Sequence, residues 1–245
     1  MPNEACSKRS EEGSPPVSDN RTSSIIEEKT LVRRYIRAKR NALSHQERAA
    51  KSHALCTKLA GLLGIGAAAE SAENSAARVI AHDRALDMPA LREGGTVALY
   101  AAFEDEANLD ELIGLCHRNG MNVALPCMNP KGSSRPMEMR TIAHDAWQAG
   151  EVPFVSNPLL RMKPDDEALA AFPAVDPSAI DAMIVPLVAF DEKRRRLGYG
   201  GGNYDAYLSL VSPACRVIGV AFEEQRVDRV PTEEHDLPLP CIVFA

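Results

Sequence analysis

The apolar run Asp181-Ala-Met-Ile-Val-Pro-Leu-Val-Ala-Phe190 leads into Arg196-Leu-Gly-Tyr-Gly-Gly-Gly-Asn-Tyr-Asp205, and this junction limits the available folds more than any other stretch. An apolar run of strand length, without polar alternation, belongs in a sheet covered on both faces, and such sheets are mostly parallel. The loop that follows carries glycines at 198, 200, 201 and 202, which remove the Cβ atoms that keep a ligand off the backbone. Their N–H groups, with the start of the next helix, are suited to phosphate oxygens. Arg194, Arg195 and Arg196 add positive charge, and Asp205 is a hard oxygen ligand of the kind magnesium takes. The stretch therefore reads as a nucleotide phosphate site, with a plain glycine turn as the alternative. It is not a Walker loop, because no Gly-Lys-Ser/Thr follows. The spacing G-x-G-G-G, with no acidic residue closing a second strand, also departs from the dinucleotide fingerprint.

Around this junction the chain alternates strands and helices. Ile25 to about Leu43 reads as a basic amphipathic helix with Ile25, Leu31, Ile36 and Leu43 on one side. Lys29, Arg33, Arg37 and Arg40 share another face, which by itself reads as a solvated basic surface. A second helix starts at the N-cap Ser44, with Glu47 as capping-box partner, and runs to about Leu63. Gly64–Gly95 is alanine-rich and weakly patterned; it reads as an inserted surface segment with a helix across Ser75–Leu86. Thr96–Phe103 is a strand, Leu109–Arg118 a helix closed by Gly120, and Met121–Cys127 a strand stopped by Pro126 and Pro130. Pro136–Ile142 is a further strand, and Gly150–Phe172 a wrapped loop with short helical pieces. Asp181–Phe190, the helix Tyr204–Val211 and the strand Cys215–Phe222 form a second strand-helix-strand unit, and Cys241–Phe244 is a last short strand. The pattern predicts an α/β fold with a mostly parallel sheet and helices on both faces.

Composition removes several classes of function. The net charge of −6 gives no general attraction to nucleic acid, and the basic helix has no interleaved aromatic residues. No apolar run approaches the ~20 residues of a membrane span. Six cysteines are scattered without metal-ligand or disulfide spacing, which suits a reducing cytosol. Residues 1–24 are polar and lack a secretory apolar core, so they read as a disordered tail. Residues 25–245 then form one α/β domain interrupted at 64–95.

In open α/β sheets ligands sit beyond the carboxyl ends of the strands. Four stretches fall at such ends: Tyr100–Glu106, Arg196–Asp205, Glu223–Arg226, and the pair His235-Asp236. Glu104, Asp105 and Glu106 form a local acidic cluster, a kind that is most often solvated loop charge.

The order Lys29-x-x-x-Arg33, Tyr100…Glu106, Val185-Pro-Leu-Val-Ala-Phe-Asp191, Arg196-Leu-Gly-x-Gly-Gly-Gly-x-Tyr-Asp205, Gly219-Val-Ala-Phe-Glu-x-Gln225 and Pro231…His235-Asp236 resembles the 5-formyltetrahydrofolate cyclo-ligases, or methenyltetrahydrofolate synthetases. The resemblance runs from Lys29 to the end, apart from 64–95; the Arg196–Asp205 and Gly219–Gln225 runs are its specific parts. It implies an α/β fold like that of sugar-phosphate isomerases and CoA transferases. It also implies a cytoplasmic ligase that uses ATP and Mg2+ to turn 5-formyltetrahydrofolate into 5,10-methenyltetrahydrofolate, with release of ADP and phosphate. In that reaction the formyl oxygen is phosphorylated and N10 of the folate closes the ring; such transfer depends on charge neutralisation and positioning.

On that resemblance Lys29 and Arg33 reach the ATP phosphates. Arg196, Leu197, Gly198, Tyr199, Gly200, Gly201, Gly202, Asn203 and Tyr204 form the ATP-binding loop. Asp205 and Asp236 hold magnesium, and Ala101 and Glu106 bind the pteridine side of the folate. Arg196, Tyr204 and Glu106 are the expected catalytic residues. The expected partners are the folate and ATP, without nucleic acid or membrane, and the expected state is a monomer or weak homo-oligomer. Three positions depart from the family pattern. Asn203 replaces the first Tyr of a Tyr-Tyr-Asp run and loses a stacking ring; Asn108 stands where Asp or Thr is usual, and Asn157-Pro158 replaces Glu-Pro. None removes a phosphate or metal residue. A non-catalytic ATP- or folate-binding relative is the competing reading. An isomerase or transferase of the same fold is another, although fold does not decide function.

Overall fold

Seven strands form one sheet in the computed structural model, which describes residues 20–66, 75–82, 89–103, 105–233 and 236–245. They are β1 (Arg78–Ala81), β2 (Thr96–Ala98), β3 (Asn122–Met128), β4 (Met137–Ile142), β5 (Ala182–Pro186), β8 (Arg216–Ala221) and β9 (Cys241–Phe244). A separate hairpin holds β6 (Ala189–Phe190) and β7 (Arg196–Leu197). The sheet order is β1-β9-β8-β5-β2-β3-β4. Its five inner strands are mutually parallel, and only the edge strands β1 and β4 run antiparallel to their neighbours.

Successive strand residues face opposite sides, so each inner strand feeds two cores. Val97, Leu99, Val123, Leu125, Ile184 and Ile218 pack with Leu55, Leu59, Ile113 and Cys116 of helices α2 (His45–Leu63) and α3 (Asp110–Arg118). Ala98, Ala124, Met183 and Val185 pack on the other side against Tyr207 of helix α6 (Asn203–Leu208). The second helix follows its sequence signals: Ser44 and Glu47 make the reciprocal capping box, and Gly64 closes it in the left-handed conformation at φ 69°. Two short helices, α4 (His144–Ala149) and α5 (Pro153–Ser156), lie in the wrapped stretch after β4.

Several expectations are corrected. Helix α1 spans Asn20–Ala42, so it begins inside the stretch read as a tail; residues 1–19 lie outside the described residues. Its Leu31 is 54% exposed, whereas Ile36 and Arg40 are buried, so the helix turns part of its basic face inward. The helix expected across Ser75–Leu86 is instead strand β1, because β-branched Val79 and Ile80 find a ladder partner in β9. Residues 67–74 and 83–88 of that segment lie outside the described residues. Pro126 does not stop a strand but sits inside β3 opposite Met139. Its nitrogen faces the β2 side, where the ladder has already ended at the Leu99 N–H to Ala124 carbonyl bond, so the missing donor leaves no gap.

The apolar run Asp181–Phe190 is not one strand. β5 ends at Pro186, and β6 leaves the sheet to pair with β7 before the glycine loop begins. Asp191, 1% exposed, organises this hairpin by accepting from the backbone N–H groups of Lys193 (3.0 Å), Arg195 (3.2 Å) and Val230 (2.9 Å) and from the Arg195 guanidinium (2.7 Å). Arg194, at φ 60°, donates to the Leu239 carbonyl. Thus Arg194 and Arg195 serve the hairpin, and only Arg196 of the three faces the cavity described next.

Candidate active site

A cavity of about 930 Å³ lies at the carboxyl ends of β2, β3 and β5, roofed by α1 and the glycine loop. This is where an open parallel sheet leaves room for a ligand. Helix α1 supplies Lys29, Arg33 and Arg37 at successive turns. The loop after β7 supplies Arg196 to Asp205, the turn after β2 supplies Ala101 and Glu106, and the approach to β9 supplies Glu233 and Asp236. The cavity thus gathers every residue expected at the site, although Leu197 (3% exposed) packs its side chain with Ile36, Val188 and Val230.

Lys29, Arg33 and Arg196 each have a partner. Lys29 Nζ donates to Glu233 and Asp236, 2.7 Å from each. Burial works against its ammonium, but the bonds and charges of Asp236 and Glu233 outweigh it, and its pKa lies above the usual value. Arg33 Nε donates to the Gly198 carbonyl at 2.8 Å, and burial alone lowers its pKa. Arg196 pairs with Asp205 and donates to the Leu237 carbonyl at 3.1 Å. Its side chain is 11% exposed, against 68% for Asp205. Gly200 needs its φ of +98° and lies directly under Arg33, whose guanidinium a Cβ there would meet at 3.4 Å.

At the other end Glu106 is 6% exposed. One oxygen accepts from the Tyr199 hydroxyl and the other from the Phe103 N–H at 3.0 Å. Burial raises the Glu106 pKa, and those two bonds with the charge of Arg40 only partly offset the rise. Arg40, 1% exposed, donates to the Tyr199 hydroxyl at 2.9 Å and to Asp105. The acidic cluster is therefore not merely solvated: Asp105 holds α1 and Glu106 faces the cavity, while Glu104 lies outside the described residues. Tyr204 lines the wall between the two ends, and burial with the Glu106 charge pushes its phenol up. Asn203 donates an amide N–H to the Met128 sulfur at 3.9 Å.

One expected stretch does not line the cavity. Glu223–Arg226 forms a short turn elsewhere, where Glu223 meets Arg78, Glu224 meets Lys51 at 3.1 Å, and buried Gln225 donates to the Leu187 and Val188 carbonyls. The strand before it is as expected, and the turn packs against α1 and Phe190 rather than lining the cavity. His235 lies outside the described residues. Sequence reasoning assigned no site role to Arg40, Asp105, Glu233 or Asp191. Arg40 had a signal, since it continues the Lys29-Arg33-Arg37 face; Asp191 stood in the family pattern and Asp105 in the acidic cluster, while Glu233 had none beyond its charge. Among the described residues no group of three or more His, Cys, Asp or Glu forms a ready metal cage, and no helix is long and apolar enough to cross a membrane.

The family model described as the 5-formyltetrahydrofolate cyclo-ligase family matches residues 25–245. The 5-formyltetrahydrofolate cyclo-ligase of Escherichia coli K12 is 32% identical over 167 residues, covering 65% of this chain and 83% of that protein. The Saccharomyces cerevisiae protein of the same name is 25% identical over 229 residues, covering 88% and 94%. Among solved structures, the 5,10-methenyltetrahydrofolate synthetase of Aquifex aeolicus superposes with a TM-score of 0.56 at 23% identity, covering 88% of this chain and 89% of that one. The Mycoplasma pneumoniae synthetase gives 0.56 at 21% identity, covering 87% and 96%. These two likenesses speak for the fold.

Proposed function

Because this chain belongs to the 5-formyltetrahydrofolate cyclo-ligase family and is a ligase, we propose that it uses ATP and Mg2+ to convert 5-formyltetrahydrofolate into 5,10-methenyltetrahydrofolate. The observation that carries the reading is a single cavity with cations at one end and the buried Glu106 carboxylate at the other. A phosphate donor and a folate acceptor need that division, since transfer demands that both meet in one water-poor space.

The donor set fits a magnesium nucleotide. Magnesium in such sites takes one or two carboxylates together with phosphate oxygens and water, so no three-ligand protein cage is required. Asp205 and Asp236 would hold the ion, and Lys29, Arg33, Arg196 and the Gly198–Gly202 backbone would hold the phosphates. When bound, Mg-ATP supplies the phosphoryl group that turns the formyl oxygen into a leaving group. Leu197 through Asn203 contribute mainly backbone to this cradle.

The chain's own groups do the rest. Glu106 orients the pteridine side by accepting from ring N–H groups, with Ala101 leaving room beside it. Tyr204, between the two ends, lines the junction and keeps water out of it. Arg196 stabilises charge that builds on the transferred group once it exchanges Asp205 for phosphate. The sheet order and parallel core also suit the sugar-phosphate isomerase and CoA-transferase architecture, with a cytoplasmic location for a folate enzyme.

The test is to follow methenyltetrahydrofolate absorbance from 5-formyltetrahydrofolate, with Mg-ATP, with ATP and chelator, and without nucleotide. Product only in the first arm is expected. No product at micromolar enzyme would overturn the reading.

A further inference from the structure

The Tyr199 side chain of the glycine loop reaches the opposite end of the cavity. Its hydroxyl donates to Glu106 and accepts from Arg40 at 2.9 Å. Its ring meets Phe103 edge to face, with centroids 6.1 Å apart, and the Arg40 guanidinium lies 5.7 Å from its centroid. Both of its neighbours rest on Arg33: the Gly198 carbonyl accepts from it at 2.8 Å, and Gly200 lies against its guanidinium. A continuous chain of contacts therefore runs from Arg33 through the loop backbone to the Tyr199 hydroxyl and on to the Glu106 carboxylate.

We propose that Tyr199 is a positioning residue that couples the nucleotide and folate ends of the cavity, so that a nucleotide seated on the glycine loop strengthens folate binding at Glu106. This rests on the preceding assignment of those two ends. The left-handed glycines at 200 and 202 give the loop its shape and leave it free to shift. A phosphate held by Arg33 and the loop fixes that backbone, which fixes the Tyr199 hydroxyl on Glu106. The carboxylate is then held by Tyr199 on one oxygen and by the Phe103 N–H on the other, with its remaining lone pairs open to the ring edge of the folate. The ordering is done once, by whichever ligand binds first, and the second binds to a site already set. Coupling of this kind is reciprocal.

The experiment measures 5-formyltetrahydrofolate affinity by titration calorimetry, with and without saturating Mg-ADP, in the wild type and in Tyr199→Phe. Tyr199 is 43% exposed, so the phenyl ring fits the same space, and melting temperature checks the fold. In the wild type Mg-ADP should tighten folate binding about fivefold or more, and folate should tighten ADP binding by the same factor. In Tyr199→Phe that factor should fall close to one, whatever happens to either affinity alone. An unchanged factor in Tyr199→Phe, or no factor in the wild type, overturns the coupling. Turnover by a wild type without coupling would sink this inference and leave the cyclo-ligase reading intact; absence of folate binding in the wild type would sink both.

Discussion

Lys29, on the first helix, donates to Asp236, 207 residues later in the chain, at 2.7 Å, and Glu233 flanks it at the same distance. The cation proposed to meet phosphate is thus already neutralised by two carboxylates. A phosphate must either displace them or arrive with a metal that takes Asp236 over. The contact also staples the start of the domain to its end.

Lys29→Met should raise the KM for ATP by about tenfold or more while leaving the KM for the folate nearly unchanged. It removes the Lys29 ammonium from between Glu233 and Asp236, so the melting temperature should also fall by a few degrees, equivalent to about 1 kcal/mol. Since the Lys29 pKa is raised, the stabilisation from this contact is complete below the ordinary lysine range and is lost only as pH rises through the raised value. The mutant's deficit should therefore be flat across neutral pH. A folate-specific defect would mean that α1 serves the other end of the cavity.

Arg196→Ala and Asp205→Ala should each lower kcat by two orders of magnitude or more. Asp205 is largely exposed, so its loss should leave the fold intact. Raising magnesium should partly restore the Asp205 variant and do nothing for the Arg196 variant. Identical magnesium dependence in both would refute the separate roles.

Folate affinity should weaken on acidification, and the fall should begin at a higher pH than an ordinary glutamate would give, because burial raises the Glu106 pKa. Below that pKa the carboxyl is protonated and loses an acceptor site for the ring N–H groups. Glu106→Gln should bind folate weakly and without this pH dependence, while ADP binding remains close to wild type. A titrating Glu106→Gln would assign the effect to another group.

Asp191→Ala should destabilise the protein by about 3–5 kcal/mol, because it strands a guanidinium and three backbone N–H groups around a buried position. Chemical denaturation reads this directly. Wild-type stability would show that the β6–β7 hairpin is held by something else.

Much of this architecture was legible locally. The capping box of Ser44 and Glu47 and the left-handed Gly64 delimit α2 to the residue, since both are short-range hydrogen-bond devices. The inner strands announce themselves as apolar runs, because burial on both faces leaves no room for alternation. The glycine loop was recognisable from its glycine cluster beside Arg194–Arg196 and Tyr204-Asp205. By contrast, Arg78–Ala81 sits in alanine-rich sequence and becomes a strand only because β9 offers an edge.

The site divides along the same line. Sequence supplied the residue types: cations at helical spacing on α1, a glycine-rich loop, and carboxylates after strands. It also supplied the family pattern into which they fit. Only the tertiary structure decided which charges face one another: Lys29 with Glu233 and Asp236, Arg196 rather than Arg194 or Arg195 at the cavity, and Arg40 inside rather than in water. Local chemistry fixes what a residue is able to do. Charge pairing across 65 to 207 residues depends on how the sheet brings distant loops to one edge, and nothing local encodes that proximity.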